Sequence, residues 1–111
     1  MAENKPSSIT DAVFEDEVLN RDGITVVDFW AVWCGPCHTM APALEAFAAA
    51  NKDSVTVFKL DVDDNPKTAE RYEIRSVPTV IFFKAGEPAY VSRGAMSQSS
   101  LQERLDAILK E

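Results

Sequence analysis

The sequence lacks the features that define several classes of protein. It contains 2 cysteines among 111 residues, so at most one intramolecular disulfide can form, and a secreted framework of several bridges is excluded. No apolar run approaches the roughly 18 to 20 residues that a membrane-spanning helix needs, and the polar residues 1–8 lack the apolar core of a signal peptide. We therefore expect a cytoplasmic protein.

Positive charge is also scarce. Lys and Arg total 11 against 18 Asp and Glu, which gives a net charge of −7, and the basic residues are scattered along the chain. Such a chain is not expected to bind nucleic acid or an anionic membrane, because both attract clustered positive charge. We interpret the excess of negative charge mainly as a contribution to solubility.

The hydrophobic pattern indicates one α/β domain with a mixed sheet between helices. A hydrophobic content of 46% in a chain of this length is enough for one ordinary core. We expect a polar tail or short edge strand at residues 1–8 and a single domain over residues 9–111. The elements predicted along this domain are a helix at 10–20, strands at 24–30 and 55–62, a helix at 35–51, a short helix from 66, a hairpin of 79–84 and 89–93, and a helix from 97.

Several residues are predicted to define the ends and faces of these elements. Thr10 and Asn65 are expected to cap the first helix and the short helix, and Pro42 is expected to kink the long one. The turn of the hairpin is predicted at residues 85–88. The last helix is expected to bury one apolar stripe, formed by Leu101, Leu105, Ile108 and Leu109. Trp30, at the end of the first long strand, is expected to lie in the core.

The segment WCGPCH at residues 33–38 fits three different chemistries. A covalent haem site uses the same CxxCH pattern, but such proteins are mostly helical, whereas this motif follows a buried strand. A structural zinc site needs four ligands, and the chain offers two thiols and a single histidine directly beside the second thiol. A purely structural disulfide across so short a loop would contribute only about 2 kcal/mol. These comparisons favour a redox dithiol with no metal and no cofactor.

The dithiol interpretation has a mechanism. Cys34 falls where a strand turns into a helix, so free backbone N–H groups and the helix dipole should stabilise its thiolate. Cys37 lies three positions later on the same helical face, within disulfide range, and is expected to be the more buried of the two. Cys34 would attack a substrate disulfide, and Cys37 would resolve the mixed disulfide. Gly35 allows close approach, and Pro36 suits the first turn of a helix.

Four separated segments resemble the thioredoxin family, and together they cover nearly the whole chain: VVDFWAVWCGPC, the proline within the long helix, SVPT and RGA. The resemblance implies a five-stranded mixed sheet flanked by four helices. It also implies a protein-disulfide reductase that acts on disulfide-containing target proteins and is recycled by a flavin-dependent thioredoxin reductase. We expect a monomer. The alternatives are a disulfide oxidase or isomerase of the same fold, a haem electron carrier, and a binding subunit that uses the fold as a scaffold.

The resemblance also assigns roles to residues around the cysteines. Asp28 is an acidic residue in an apolar strand, so burial should raise its pKa. By analogy with the family it exchanges the proton of Cys37 during resolution, with Lys59 as its charge partner. The SVPT loop implies a cis bond before Pro78 and a Val77 backbone that pairs with an extended substrate. The residues expected to form an apolar substrate surface around the nucleophile are Trp33, Gly35, Pro36, Val77, Pro78, Gly94 and Ala95.

One residue departs from the family pattern. Thioredoxins commonly carry Lys or Arg directly after the second cysteine, and this chain has His38. The charge of a histidine depends on pH, so we expect an altered preference for reductase or target without loss of activity. A solvent-facing histidine with no such role is the alternative.

Overall fold

The computed structural model describes residues 5–111 and contains one mixed β-sheet. Its strands are β1 (Ser7–Ser8), β2 (Ile24–Trp30), β3 (Val55–Asp61), β4 (Thr79–Lys84) and β5 (Glu87–Arg93). Their order across the sheet is β1-β3-β2-β4-β5. The strands β1, β3 and β2 run parallel, whereas β4 is antiparallel to β2 and β5 is antiparallel to β4. Residues 1–4 of the predicted tail lie outside the described residues, and the serines that follow form the edge strand.

Helical segments cover both faces of this sheet. They are a 3-10 turn (Asp11–Val13) continued by a π-helical turn (Glu15–Leu19), α1 (Gly35–Ala50), α2 (Pro66–Arg71) and α3 (Gln98–Leu109). Together with the five strands, these segments confirm the predicted α/β fold. Within residues 5–111, no helix has both the length and the apolar character that crossing a bilayer requires.

The central strand β2 separates two apolar layers, because successive side chains of a strand point to opposite faces. Val27 and Phe29 pack in a cluster with Phe14 from the first helical segment. Ile24 and Val26 pack in a second cluster, which contains side chains of α1 and α3. The alternation therefore places the side chain of Asp28, two positions after Val26, on the face covered by α1 and α3.

The first helical segment differs from the predicted α-helix. Thr10 occupies the predicted N-cap position in an extended conformation, but its side chain accepts no backbone N–H, and the segment that follows is a 3-10 turn. The next residue makes the tertiary contacts of this segment. The Asp11 carboxylate accepts the backbone N–H groups of Lys67 (3.1 Å) and Thr68 (2.8 Å), and the Asp11 N–H donates to Asn65 Oδ1 (2.9 Å). Asp11, from a distant part of the chain, thus caps α2.

The same contact corrects the role predicted for Asn65. This residue occupies the N-cap position of α2, but its side chain accepts no N–H from that helix. Its Oδ1 atom accepts the Asp11 N–H, and its Nδ2 atom donates to the carbonyl of Asp61 at 3.1 Å. Asn65 therefore joins the first helical segment to the end of β3, and the capping of α2 is left to Asp11.

The hairpin turn is shorter than predicted. Ala85 and Gly86 both have positive φ, 50° and 83°, which is the conformation that a two-residue turn between twisted antiparallel strands requires. The following strand begins at Glu87, inside the segment predicted as turn. Gly86 is also required sterically, because a Cβ at this position would overlap the carbonyl oxygen of Leu19.

The last helix begins as predicted but buries a narrower stripe. Ser97 is its N-cap and accepts the N–H of Ser100 at 3.1 Å. Leu101 and Leu105 are fully buried, whereas Leu109 is 52% exposed, so its predicted place in the core is wrong. At 3.6 residues per turn, Leu109 lies about 80° around the helix from Leu101, beyond the edge of the face that meets the sheet.

Candidate active site

A disulfide joins Cys34 and Cys37 at the N-terminus of α1, with 5.3 Å between their Cα atoms. Cys34 is extended and serves as the N-cap, directly after the loop that leaves β2. Gly35 and Pro36 form the beginning of the first turn, where the missing N–H of a proline breaks no helical hydrogen bond. The order strand, short loop, helix therefore places both sulfur atoms at the positive end of the helix.

The cysteine that caps α1 is already bonded to a backbone donor. The N–H of Cys37 donates to Cys34 Sγ at 3.1 Å. When the disulfide is reduced, a negative charge on this sulfur would meet that N–H and the helix dipole, and both favour the thiolate. The geometry around this sulfur thus favours an anion.

The burial of the two cysteines differs from expectation. Cys34 is 3% exposed and Cys37 is 4% exposed, so the prediction that Cys37 is the more buried is wrong for the disulfide form. Both pack with Ala31, and Val62 and Val77 cover this cluster. The disulfide is therefore held in an apolar setting just below the surface.

Asp28 is buried in the middle of β2 with an unsatisfied oxygen. Its neighbours in the sheet are Lys59 on β3 and Val80 on β4. The residue is 1% exposed, and among the described residues its Oδ1 atom has no hydrogen-bond partner. Burial raises the pKa of Asp28 to about 7, and the positive charge of Lys59 opposes this rise. The carboxyl group can therefore gain and lose a proton at physiological pH.

Lys59 lies on the same face of the sheet as Asp28 but extends towards the end of the strand. Its Nζ atom lies 4.3 Å from the centre of the Trp30 ring, within range of a cation–π interaction. Trp30 is only partly buried and packs against the cysteine cluster, so the prediction of a core residue is wrong. Because Trp30 is the last residue of β2, its ring lies at the end of the sheet where the cysteines are found.

Two apolar side chains next to the cysteines face solvent. Trp33 is 71% exposed and Val32 is 66% exposed. The Trp33 indole donates Nε1–H to Asp63 Oδ2 at 2.9 Å, which fixes the ring across the turn after β3. Sequence reasoning missed both Val32 and Asp63. Val32 lies within the quoted motif and could have been noted as an apolar residue outside the strand, whereas its exposure could not be foreseen.

Two further loops approach the disulfide. The Val77-Pro78 peptide bond is cis, as the family resemblance implied, and Val77 packs against the cysteine cluster. The carbonyl of Pro78 accepts the N–H of Gly94 at 2.8 Å, so the loop at residues 94–95 lies beside the cis bond. Gly94 has φ 123°, a conformation that favours glycine.

The predicted surface residues differ in how far they reach solvent. Gly35, Pro36 and Ala95 are exposed, and Val77 is partly buried. Pro78 is buried, so its side chain does not contribute to an open surface in this state. Among residues 5–111, the structure brings no three His, Cys, Asp or Glu side chains together as a metal site.

The histidine after the second cysteine is exposed and contacts the loop between β2 and α1. His38 Nε2 lies 2.7 Å from the carbonyl oxygen of Val32. The imidazole ring also meets the Trp30 ring almost perpendicularly, at 80°, with 6.0 Å between their centres. His38 therefore has specific partners, unlike a histidine that faces only solvent.

Comparisons with known proteins agree with this geometry. The sequence model of the thioredoxin family matches residues 5–107. A thioredoxin of Rhodospirillum rubrum is 48% identical over 99 residues, which cover 89% of this chain and 95% of that protein. A thioredoxin of Porphyra purpurea is 45% identical over 100 residues, which cover 90% and 94% of the two chains. A thioredoxin of Staphylococcus aureus is 47% identical over 98 residues, which cover 88% and 92%. The chain belongs to the thioredoxin family and is a protein-disulfide reductase that works by dithiol–disulfide exchange and is recycled by thioredoxin reductase.

Proposed function

We propose that Cys34 is the nucleophile of this exchange and Cys37 the resolving thiol. The Cys34 thiolate attacks one sulfur of a target disulfide and forms a mixed disulfide with it. The target S–S bond breaks, and the other target sulfur leaves as a thiolate. The Cys37 thiolate then attacks Cys34 Sγ in the mixed disulfide and releases the second target sulfur. The target gains two electrons, and the Cys34–Cys37 pair becomes a disulfide again. The observation that carries this assignment is the Cys37 N–H donated to Cys34 Sγ.

Asp28 is proposed to take the proton of Cys37 when the mixed disulfide is resolved. A base suits this step when its pKa lies near the working pH, and burial places the pKa of Asp28 at about 7. Its position on the α1 side of the sheet supports the role, because α1 carries the thiol. Lys59 is proposed as the charge partner that keeps this pKa from rising further.

A substrate is proposed to bind across the exposed apolar residues around the disulfide. Trp33 supplies the largest exposed apolar side chain, and no backbone hydrogen bond of Val77 to another of the described residues is present. A free N–H and C=O beside the nucleophile can pair with an extended segment of a target protein. The remaining contributors to this substrate surface are Gly35, Pro36, Gly94 and Ala95, whereas the predicted contributor Pro78 is buried and adds no exposed side chain.

We further propose that the protein is a single domain over residues 9–111 and acts as a monomer in the cytoplasm. A cytoplasmic location is consistent with a reductase because the cytosol keeps thiols reduced. Target proteins that contain disulfides, and a flavin-dependent reductase, are its expected partners. Neither a nucleic acid nor a membrane is expected to take part, given the net charge of −7.

The central experiment measures the acidity of Cys34. The rate of alkylation of the reduced Cys37→Ser variant by iodoacetamide is followed from pH 4 to pH 10, so that one thiol reports. We expect half-maximal reactivity well below the value of about 8.5 for a free cysteine. A Cys34 that titrates and reacts like a free cysteine would remove the proposed nucleophile.

Two further measurements separate the alternatives. In an equimolar mixture of reduced and oxidised glutathione, a reductase is expected to remain mostly in the disulfide form, since it gives electrons away readily. An oxidase of the same fold would instead be reduced by that mixture. A protein that keeps its cellular role after both cysteines become serine would be a scaffold.

A further inference from the structure

The residue that follows Cys37 holds the backbone of the active-site loop. His38 Nε2 lies 2.7 Å from the Val32 carbonyl oxygen. A carbonyl oxygen can only accept, so Nε2 carries the proton in this contact. The bond joins the first turn of α1 to the loop that leaves β2, and the edge-on packing of the imidazole on Trp30 fixes the direction of the ring.

The loop held in this way carries two exposed apolar side chains. Val32 and Trp33 are 66% and 71% exposed, although the adjacent Cys34 is buried. Asp63 fixes the indole of Trp33 from the turn after β3, and His38 fixes the carbonyl of Val32 from α1. The pair is thus held from two sides before any partner binds. A surface that is ordered in advance loses less conformational entropy on binding.

The nucleophile has anchors of its own. The Cys34 N–H donates to the Ala31 carbonyl at 3.1 Å, and Cys34 Sγ accepts the Cys37 N–H. Neither bond involves the imidazole. Loss of the His38 contact should therefore disturb the Val32–Trp33 pair more than the position or acidity of Cys34.

We propose that His38 is a positioning residue for protein substrates, which orders the Val32–Trp33 pair by donating Nε2–H to the Val32 carbonyl. This inference rests on the proposed role of Trp33 in substrate binding. It requires only the donor: the neutral Nε2–H tautomer and the imidazolium ion both supply it. It therefore differs from a charge effect of the histidine, which would change when the ring is protonated.

Three substitutions separate the hydrogen bond from the ring and from the charge. His38→Gln keeps an amide N–H donor at a similar distance from the backbone, whereas His38→Phe keeps a ring against Trp30 and loses the donor. His38→Lys carries a permanent charge. The readouts are kcat and KM with an unfolded disulfide-containing protein and, separately, the alkylation rate of reduced Cys34 by iodoacetamide.

We expect the KM of His38→Phe for the protein disulfide to rise about three- to tenfold, the factor that one hydrogen bond is worth. Its kcat and the alkylation rate of Cys34 should stay close to those of the parent protein. His38→Gln should restore the parent KM. In amide relaxation measurements, the order parameters of Val32 and Trp33 should fall in His38→Phe and recover in His38→Gln.

Two results would overturn the inference. If His38→Phe and His38→Gln share the KM of the parent protein, the bond orders nothing that a substrate needs. If His38→Phe and His38→Gln raise KM equally and His38→Lys does not, the positive charge at this position determines KM. Should His38→Phe fail to fold, His38→Leu serves as the donor-free variant and is scored in the same way. Failure of the proposed function would be seen separately, as an unreactive Cys34 in the parent protein.

Discussion

Asp28 and Lys59 are directly paired across the parallel strands β2 and β3, yet the lysine turns its ammonium group to the Trp30 ring. The carboxyl group of Asp28 is left buried with an unpartnered oxygen. A buried carboxyl with an unpartnered oxygen is more stable protonated, so Asp28 makes the fold less stable as the pH rises.

The first prediction concerns stability against pH. The pKa of Asp28 is 3.8 in the unperturbed state and about 7 in the fold, so the folded protein binds the proton more tightly. The protonated Asp28 carboxyl stabilises the fold relative to the ionised form. This stabilisation is complete below pH 4, declines between pH 4 and pH 7, and is lost above pH 7. The difference corresponds to about 4 kcal/mol of unfolding free energy.

Urea unfolding of the disulfide form from pH 4 to pH 8 measures this dependence. Asp28→Asn resembles the protonated carboxyl in shape and does not titrate, so it should be more stable than the parent protein by up to about 4 kcal/mol at pH 8 and similar to it at pH 4. Asp64→Asn, at an exposed position, is the control and should follow the parent curve. Equal curves for Asp28→Asn and the parent would show that burial does not raise this pKa.

A second prediction tests the role of Asp28 in the reaction. A mixed disulfide between Cys34 and a target is formed, and the release of the target by Cys37 is followed over time. Asp28→Asn cannot accept a proton, so release should slow by about 10²-fold or more near pH 7, the range that a general base contributes. Alkylation of Cys34 should change much less. An unchanged rate of release would remove the role of Asp28 in proton transfer.

The main elements were predictable because their signals are local. The strand at residues 24–30 is a nearly continuous apolar run apart from Asp28, and the helix after it begins at a glycine and proline that follow Cys34. Helical periodicity likewise predicted that Leu101 and Leu105 face the core. These features depend on residues a few positions apart, which one sequence displays directly.

The features that sequence reasoning missed depend on contacts between distant residues. Asp11 caps a helix that begins 55 residues later, and nothing near Asp11 in the sequence indicates this partner. Trp30 ends a buried strand, but its ring packs against Lys59 and His38, which come from two other elements. Leu109 belongs to the periodic pattern of α3, yet the extent of the sheet beneath the helix decides whether it is covered.

The third prediction concerns the cap that Asp11 provides. Burial tends to raise the pKa of Asp11, but hydrogen bonds from Thr68 and from the Lys67 amide outweigh it and hold the pKa below 3.8. The stabilisation is thus present above pH 4 and lost as the pH falls through the lowered value. Asp11→Ala should reduce the unfolding free energy at pH 7 by about 1 to 2 kcal/mol, as expected for a lost cap.

Chemical denaturation at pH 7 and at pH 3 checks this expectation. Asp11→Asn keeps one acceptor oxygen and should recover part of the loss. Glu15→Ala removes an exposed carboxylate from the same helical segment and is the matched control. If Asp11→Ala and Glu15→Ala lose the same stability, the bonds of Asp11 to α2 contribute nothing beyond surface charge.

The last prediction concerns a sulfur atom that holds the loop after β5. Met40 Sδ, on α1, accepts the backbone N–H of Met96 at 3.3 Å, and both side chains are buried. Met40→Leu conserves volume but leaves a buried N–H without an acceptor, so it should reduce the unfolding free energy by about 1 to 3 kcal/mol. Leu44→Met, one turn further along the same buried face, measures the cost of exchanging these side chains where no such bond exists.

Hydrogen exchange of the Met96 amide, in the loop that carries Gly94 and Ala95, reports on the same bond. Met40→Leu removes the acceptor and should speed this exchange, whereas Leu44→Met should leave it unchanged. Equal effects of the two exchanges on stability and on this amide would show that the sulfur only fills space.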